Sequence, residues 1–346
     1  MAAKGLLLKY NAPNPGDGAG AQFQRILGIY ATAKSNHLGY LHAPIQHLGA
    51  NAGDGFESMS ERIAFTGELN QLINLESDSY FRNYKEITLR RINPRLVWML
   101  RPARKILETL RISIILKIDS TLQWVDQNAW CYDSGISPLH SRFVLPRPNE
   151  TRLIVDVHIR RAGIPMQDLL GRDYGRWTPT HWYVNILNEI KRNAESSGKK
   201  LLIRVHTDTL NSGSTWTPPA DISPETMNHW KDIGVLTLDG QVSGLYENFS
   251  EIFSKYGDVQ MVQNISAIEA WKMMIQSDIL IIAKSSMSYV AALFRTSKPV
   301  IYAKFWHTGL TNWNLISTAV SLTEIDKKQI YSLTKVSLIQ QKSLMN

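Results

Sequence analysis

From residue 149 onward, short apolar runs alternate with amphipathic stretches, and that rhythm leaves the chain few architectures. The runs at 153–159, 201–205, 235–238, 259–262, 279–283 and 300–303 read as buried strands, rich in Ile, Leu and Val. Helices are predicted between them, from about 178 to 197, 245 to 255, 267 to 276 and 287 to 294. Thr178 can cap the first of these with Pro179 at its first position, and Gly198 stops it. Strands joined through helices pair in parallel, since the crossover returns the chain in the same direction with a right-handed turn. The expectation is an α/β chain whose part from 149 to 320 is a doubly wound, Rossmann-like parallel sheet.

Upstream, residues 5–10 read as a buried strand, followed by a glycine-rich turn and a helix over about 21–36 in which Phe23, Ile26, Leu27 and Tyr30 recur at helical spacing. Residues 60–117 read as a mainly helical, basic region with Pro94 and Pro102 as breaks or helix starts. Prolines punctuate 138–148, which places a domain boundary near 148. The predicted organisation is therefore an α/β domain over 1–148, the second domain over 149–320, and a helical tail over 321–346.

Composition narrows the class further. Of 346 residues, 44% are hydrophobic and 20% charged, which excludes a disordered or fibrous chain. No apolar run approaches the ~18 residues that a bilayer demands. The first residues carry too short an apolar run for a signal peptide, and Lys9 interrupts it, so a cytoplasmic setting is expected. Cys131 is the single cysteine, which rules out an internal disulfide. Net charge is +8, and the ten basic residues between Arg82 and Lys117, against Glu86 and Glu108, equal that whole excess. Such a face attracts polyanions, whether nucleic acid, an anionic membrane surface or a charged glycan. No RNA- or DNA-binding motif accompanies it.

Three segments can carry chemistry. The run 153–157 gives out at His158-Ile159-Arg160-Arg161, which aims guanidinium groups past the carboxyl end of a strand, where open α/β sheets collect ligands. A guanidinium fork suits a phosphate or diphosphate. Gly16-Asp17-Gly18-Ala19-Gly20-Ala21-Gln22 lies between a strand and a helix, so backbone amides can approach a phosphate or a sugar closely. It is no P-loop, lacking Lys-Ser or Lys-Thr, and no acidic residue ends the next strand to hold a ribose. Finally, Ser277-Asp278 leads through an apolar strand into Lys284-Ser285-Ser286, a hydroxyl-rich turn that opens a helix whose amides can receive phosphate oxygens. His37, His42 and His47 lie five apart, a spacing that suits no metal site.

In order and spacing, Gly-x-Gly-x-Gly-x-Gln at 16–22, His158-Ile159-Arg160-Arg161, and Ser277-Asp278 leading to Ser285-Ser286 resemble the GT-B fucosyltransferases. That superfamily includes the α1,2- and α1,6-fucosyltransferases, the nodulation fucosyltransferase and the protein O-fucosyltransferases. The resemblance implies two Rossmann-like domains facing a cleft and a metal-independent, inverting transfer of fucose from GDP-fucose to a sugar hydroxyl of a glycan acceptor, without a cofactor. It implies His158 as a nucleotide contact and Arg160 on the diphosphate, and Arg161 beside it joins the donor-binding candidates as part of the same strand-end clamp. Ser286 with Ser285 falls on the β-phosphate, and Gly16, Gly18 and Gly20 on the wall facing the donor.

Two positions depart from the pattern. Gly163 stands where the family carries aspartate after the arginines, and the acidic residue of the guanosine side falls on Ala270, with Glu269 one step off. Asp208, beyond the strand at 201–205, joins the donor-side candidates, and Asp168 and Asp173 are candidate bases for the acceptor hydroxyl. The chain contains no Asp-x-Asp, the usual metal clamp of sugar transferases, so Arg160 takes the cation's role in stabilising the leaving group. The alternatives are a catalytically inert relative that binds a nucleotide-sugar or glycan, and a basic nucleic-acid-binding protein.

Overall fold

Two sheets, both parallel throughout, organise the chain. The computed structural model describes residues 3–11, 18–46, 48, 59–91, 94–120, 130–137, 139–140, 146–160, 178–207, 223–225, 227–228, 248–263, 265–295, 297–305, 307–319 and 321–345. One unit comprises Met1–Val144 and His307–Thr311, the other Leu145–Trp306 and Asn312–Asn346. Among the described residues no helix is long and apolar enough to cross a membrane.

In the first unit β1 (Leu6–Tyr10) leads into α1 (Ala19–Ser35) and β2 (Gly39–Leu41). Then follow α2 (Met59–Ile73), β3 (Asn83–Arg91), α3 (Pro94–Leu110), β4 (Ile112–Ser120) and the short α4 (Trp130–Gly135). The sheet order is β2-β1-β4-β3. Leu6, Leu7 and Leu8 are all buried, as a strand covered on both faces requires.

Helix was expected across 60–117, and here the structure differs: β3 and β4 interrupt it. β3 is an edge strand with a single neighbour, so Tyr84 and Ile87 stay exposed and the apolar signal is diluted by Lys85 and Glu86. The run in β4, Ile112 to Leu116, shows no periodicity that distinguishes strand from helix, and its shortness and three isoleucines are the signals that favour the strand. Eight of the ten basic residues of this stretch are accordingly distributed over β3, α3 and β4, with Arg82 and Arg111 just outside them. Several are engaged within the protein. Lys117 pairs with Glu86, Arg101 donates to Asn36 Oδ1 at 2.6 and 3.1 Å, and Arg104 donates to the His37 carbonyl.

α4 packs against the buried α1 through Gly135, where a Cβ would fall 2.4 Å from both the Cα and the carbonyl oxygen of Ala31. Backbone cannot yield as a flexible side chain does. Gly135→Ala is therefore expected to destabilise this unit by about 1–3 kcal/mol in denaturant unfolding, and an unchanged midpoint would show that the helices are free to separate.

The second unit carries β5 (Leu153–Ile159), α5 (Thr180–Glu195), β6 (Leu201–Thr207), α6 (Phe249–Ser254) and β7 (Asp258–Val262). It continues with α7 (Ala267–Gln276), β8 (Ile279–Ile282), α8 (Ser286–Leu293), β9 (Val300–Tyr302), β10 (Asn314–Leu315) and α9 (Glu324–Met345). Pro179 occupies the N-cap of α5, one residue later than the Thr178 cap expected, and no side chain caps that end. The strand expected at 235–238 lies outside the described residues.

The sheet order, β10-β9-β8-β5-β6-β7, reads 3-2-1-4-5-6 when the strands are numbered from β5 and counted from the β7 edge. That is the order of doubly wound nucleotide-binding sheets. Right-handed crossovers leaving β5 and β8 in opposite directions put their helices on opposite faces. Leu153, Val155, Val157 and Ile159 pack toward α5 and α9 in one apolar core with Trp182, Ile186, Ile281 and Ile330.

The alternate residues of β5 face a polar layer. Asp156, fully buried, accepts from Arg204 Nε at 2.6 Å and Nη2 at 2.9 Å and lies 3.0 Å from His206 Nε2. Arg204 also donates to the Met273 carbonyl of α7.

At the amino ends of β5 and β8, Asp278 accepts two bonds of 2.9 Å from Arg147 and one of 2.8 Å from the Ile154 amide. α9 closes the same end, with Ser337 Oγ donating to the Asp278 carbonyl and Gln341 Nε2 to the carbonyls of Thr151 and Arg152. Asp278→Ala would leave Arg147 buried without its counter-charge, so unfolding free energy should drop by about 3–5 kcal/mol. A loss below ~1 kcal/mol, typical of exposed pairs, would contradict this reading.

Candidate functional site

β5 and β8 are the two central strands at which the strand order reverses, the switch point outside whose carboxyl ends doubly wound sheets collect ligands. The structure brings two of the sequence candidates together at that rim. Arg160 directly follows β5, Ser285 ends the turn after β8, and Arg160 Nη1 donates to Ser285 Oγ at 3.4 Å. The pair is separated by 125 residues in sequence.

Ser285 is the N-cap of α8, with extended backbone at φ −150° and ψ 136°, and its Oγ also accepts from the Met287 amide at 3.3 Å. A hydroxyl has two lone pairs and one proton. With both acceptor positions turned to Arg160 and Met287, the Ser285 O–H remains to donate to an anion. Ser286 opens the helix, whose first turn contains no acidic residue, so its amides and dipole also favour negative charge. A guanidinium, a hydroxyl donor and a helix N-terminus thus converge on one rim.

His158 lies on the same face of β5 as Asp156 and Arg160 by strand alternation. It is 5% exposed and pairs in register with His206. Burial, together with the nearby His206 and Arg160, lowers its pKa to about 3, so the imidazole is neutral at physiological pH. Its Nδ1 is enclosed without a hydrogen-bond partner among the described residues. His158 therefore brings no positive charge to the rim.

The other candidates distribute as follows. Glu269 is exposed in the first turn of α7, where its amide donates to the Ser266 cap at 3.2 Å. That helix follows β7, two strands away from β5. In the first unit, Gly18 is the N-cap of α1 and Gly20 lies in its buried first turn, an end with no side-chain cap and no acidic residue. Gly16, Arg161, Asp168, Asp173 and Asp208 lie outside the described residues. Asp278 sits at the opposite end of β8 from Ser285, so in Ser277-Asp278 the carboxylate clamps strands. Trp182 and Tyr183, aromatic residues near the arginines in sequence, are fully buried and meet edge to face at 5.0 Å.

Lys284 was not singled out by the sequence reading. It stands between β8 and the Ser285 cap and is 8% exposed. The signal that could have found it is a lysine set between an apolar run and a pair of serines, where a solvated charge is out of place.

Comparison with known proteins adds the following. No family model and no curated protein matches the chain. Among solved structures, it is similar to E. coli heptosyltransferase WaaC with ADP at 9% identity and a TM-score of 0.41, covering 96% of this chain and 99% of that one. A glycosyl transferase family 9 protein from Veillonella parvula aligns at 10% identity and a TM-score of 0.39, covering 98% and 99%. POFUT1 in complex with GDP aligns at 11% identity and a TM-score of 0.38, covering 90% and 97%.

Burial of neutral His158 has a consequence for stability. An unfolded histidine takes up a proton near pH 6.5, whereas native His158 does so only near 3. Between those values the unfolded state binds more protons, so the contribution of His158 is fully present above pH 6.5 and is lost as pH falls toward 3. His158→Gln should flatten the dependence of unfolding free energy on pH between 6 and 4 by up to about 1.4 kcal/mol per pH unit. An identical slope in the variant would mean that the native imidazole titrates normally.

Proposed function

We propose that the protein is a metal-independent, inverting glycosyltransferase of the GT-B kind that transfers fucose from GDP-fucose to a sugar hydroxyl of a glycan acceptor, in a cytoplasmic setting. The observation that carries this reading is the contact of Arg160 with Ser285 at the switch point of a 3-2-1-4-5-6 parallel sheet. The three motifs that resemble the GT-B fucosyltransferases narrow the donor to a GDP-sugar, and two of them meet at that rim.

In this reading the bond between the anomeric carbon and the β-phosphate oxygen breaks, and its electron pair stays on the diphosphate as the sugar becomes oxocarbenium-like. The acceptor oxygen bonds to the opposite face of that carbon and gives up its proton to a base, for which Asp168 and Asp173 are the candidates. Arg160, the Ser285 hydroxyl and the amides of α8 oppose the charge that grows on the leaving group. Electrostatic stabilisation of that kind is often the largest single contribution to such a rate. His158, neutral and enclosed, orients the nucleotide side without adding charge.

Gly163, where the resemblance calls for aspartate, favours one second reading, a nucleotide-sugar-binding relative without turnover. Hydrolysis of GDP-fucose separates the two. A panel of GDP- and UDP-sugars should raise the thermal midpoint selectively for the GDP series; at 100 times Kd, binding adds about 2.7 kcal/mol of stability. Arg160→Ala should lower turnover by roughly 10²- to 10³-fold, the cost of one such donor, while its unfolding transition stays native, and the wild-type rate should persist in excess EDTA. Undiminished turnover in a folded Arg160→Ala protein would end the proposal.

A further inference from the structure

Among the described residues of the second unit, the cations that the fold encloses wholly or in part are answered by the protein, with one exception. Arg147 meets Asp278, and Arg204 meets Asp156. Arg295 donates to the carbonyls of Met274, Ser277 and Pro299, and Lys298 to those of Ile275 and Gln276. Lys284 is enclosed to a similar degree, at 8% exposure, yet among the described residues no carboxylate pairs with it and no acceptor takes its protons. An ammonium on a side chain enclosed to this degree, with no protein acceptor, has given up part of its hydration without replacement. This one directly precedes the Ser285 cap that Arg160 contacts, at the carboxyl end of β8, where α8 presents its N-terminus.

We propose that Lys284 is a second anion-binding cation of the switch-point rim and contacts a phosphate oxygen of the nucleoside diphosphate alongside Arg160. The inference rests on the reading of this rim as the diphosphate site. The motif resemblance assigns roles to the arginines and serines and none to Lys284. A bound diphosphate supplies the counter-charge that the fold withholds, so desolvation already suffered by the ammonium strengthens its attraction to the ligand. Burial pulls the Lys284 pKa down to about 8, consistent with an ammonium that lacks a partner until an anion arrives.

The test is calorimetric titration of the full-length protein with GDP, alongside thermal unfolding without ligand, for the wild type, Lys284→Met and Lys284→Arg. Lys284→Met is expected to bind GDP roughly 10- to 100-fold more weakly, the worth of one charge-assisted hydrogen bond. Its unliganded thermal midpoint should be at or above that of the wild type, because an unpaired charge has been removed from a buried place. Lys284→Arg, which keeps the charge, should stay within several-fold of the wild-type affinity. Wild-type affinity for GDP in Lys284→Met overturns the assignment and leaves the diphosphate reading standing. A lowered unliganded midpoint together with weakened binding also overturns it, since the lysine would then be supporting the fold. If the wild type binds neither GDP, ADP nor UDP, the diphosphate reading itself fails, and the role of Lys284 with it.

Discussion

The reversal of winding between β5 and β8 is the constraint on which the rest of the second unit depends. β6 lies on one side of this strand pair and β9 on the other, which makes β5 and β8 the switch point of the sheet, where doubly wound folds collect ligands. Arg160 stands at that rim beyond β5, and Lys284, Ser285 and the opening of α8 stand there beyond β8. The opposite ends of the same strands are sealed. Arg147, Asp278, Ser337 and Gln341 tie their amino ends together. One end of the sheet is thus occupied with holding strands in place, and the other carries a guanidinium, a hydroxyl and a helix N-terminus.

The polar layer within the sheet serves the same division. Arg204 donates to Asp156, with His206 Nε2 at 3.0 Å from the same carboxylate, on one face of β5 and β6, while the face toward α5 and α9 is apolar throughout β5. A buried charge is tolerable only when its partners are close and well oriented, and here register supplies them, because Asp156 stands directly across from Arg204. His158 lies one pleat further along, directly across from His206, and burial keeps it uncharged. Positive charge therefore reappears only past the end of the strand, at Arg160.

The second unit was largely readable from sequence, because its central strands are buried and rich in Ile, Leu and Val, as in Ile279–Ile282 and in Leu153–Ile159, where only Asp156 and His158 interrupt the run. The first unit was read less well. Its edge strand β3 has Tyr84 and Ile87 exposed, so neither an alternating nor a continuous apolar pattern marks it, and the apolar run of β4 has no periodicity of its own to set it apart from the helix before it. At the site, Arg160 and the serines were visible as polar groups set at the limits of apolar runs. Lys284 was overlooked because a lysine in a turn reads as solvated, and only packing shows it enclosed. Asp278 was read with the donor motif, although its partners Arg147 and Ile154 make it a strand clamp.

By itself the amino-acid sequence determined that this chain builds parallel sheets with helical crossovers, and that guanidinium and hydroxyl groups stand at the ends of particular strands. Local periodicity and local chemistry suffice for that. Which strands become neighbours was decided only by tertiary structure, because periodicity records whether a face is apolar and is silent about what covers it. The packing of α5 with α9 on one face and α7 with α8 on the other puts β8 beside β5, and so brings Ser285 within 3.4 Å of an arginine 125 residues away.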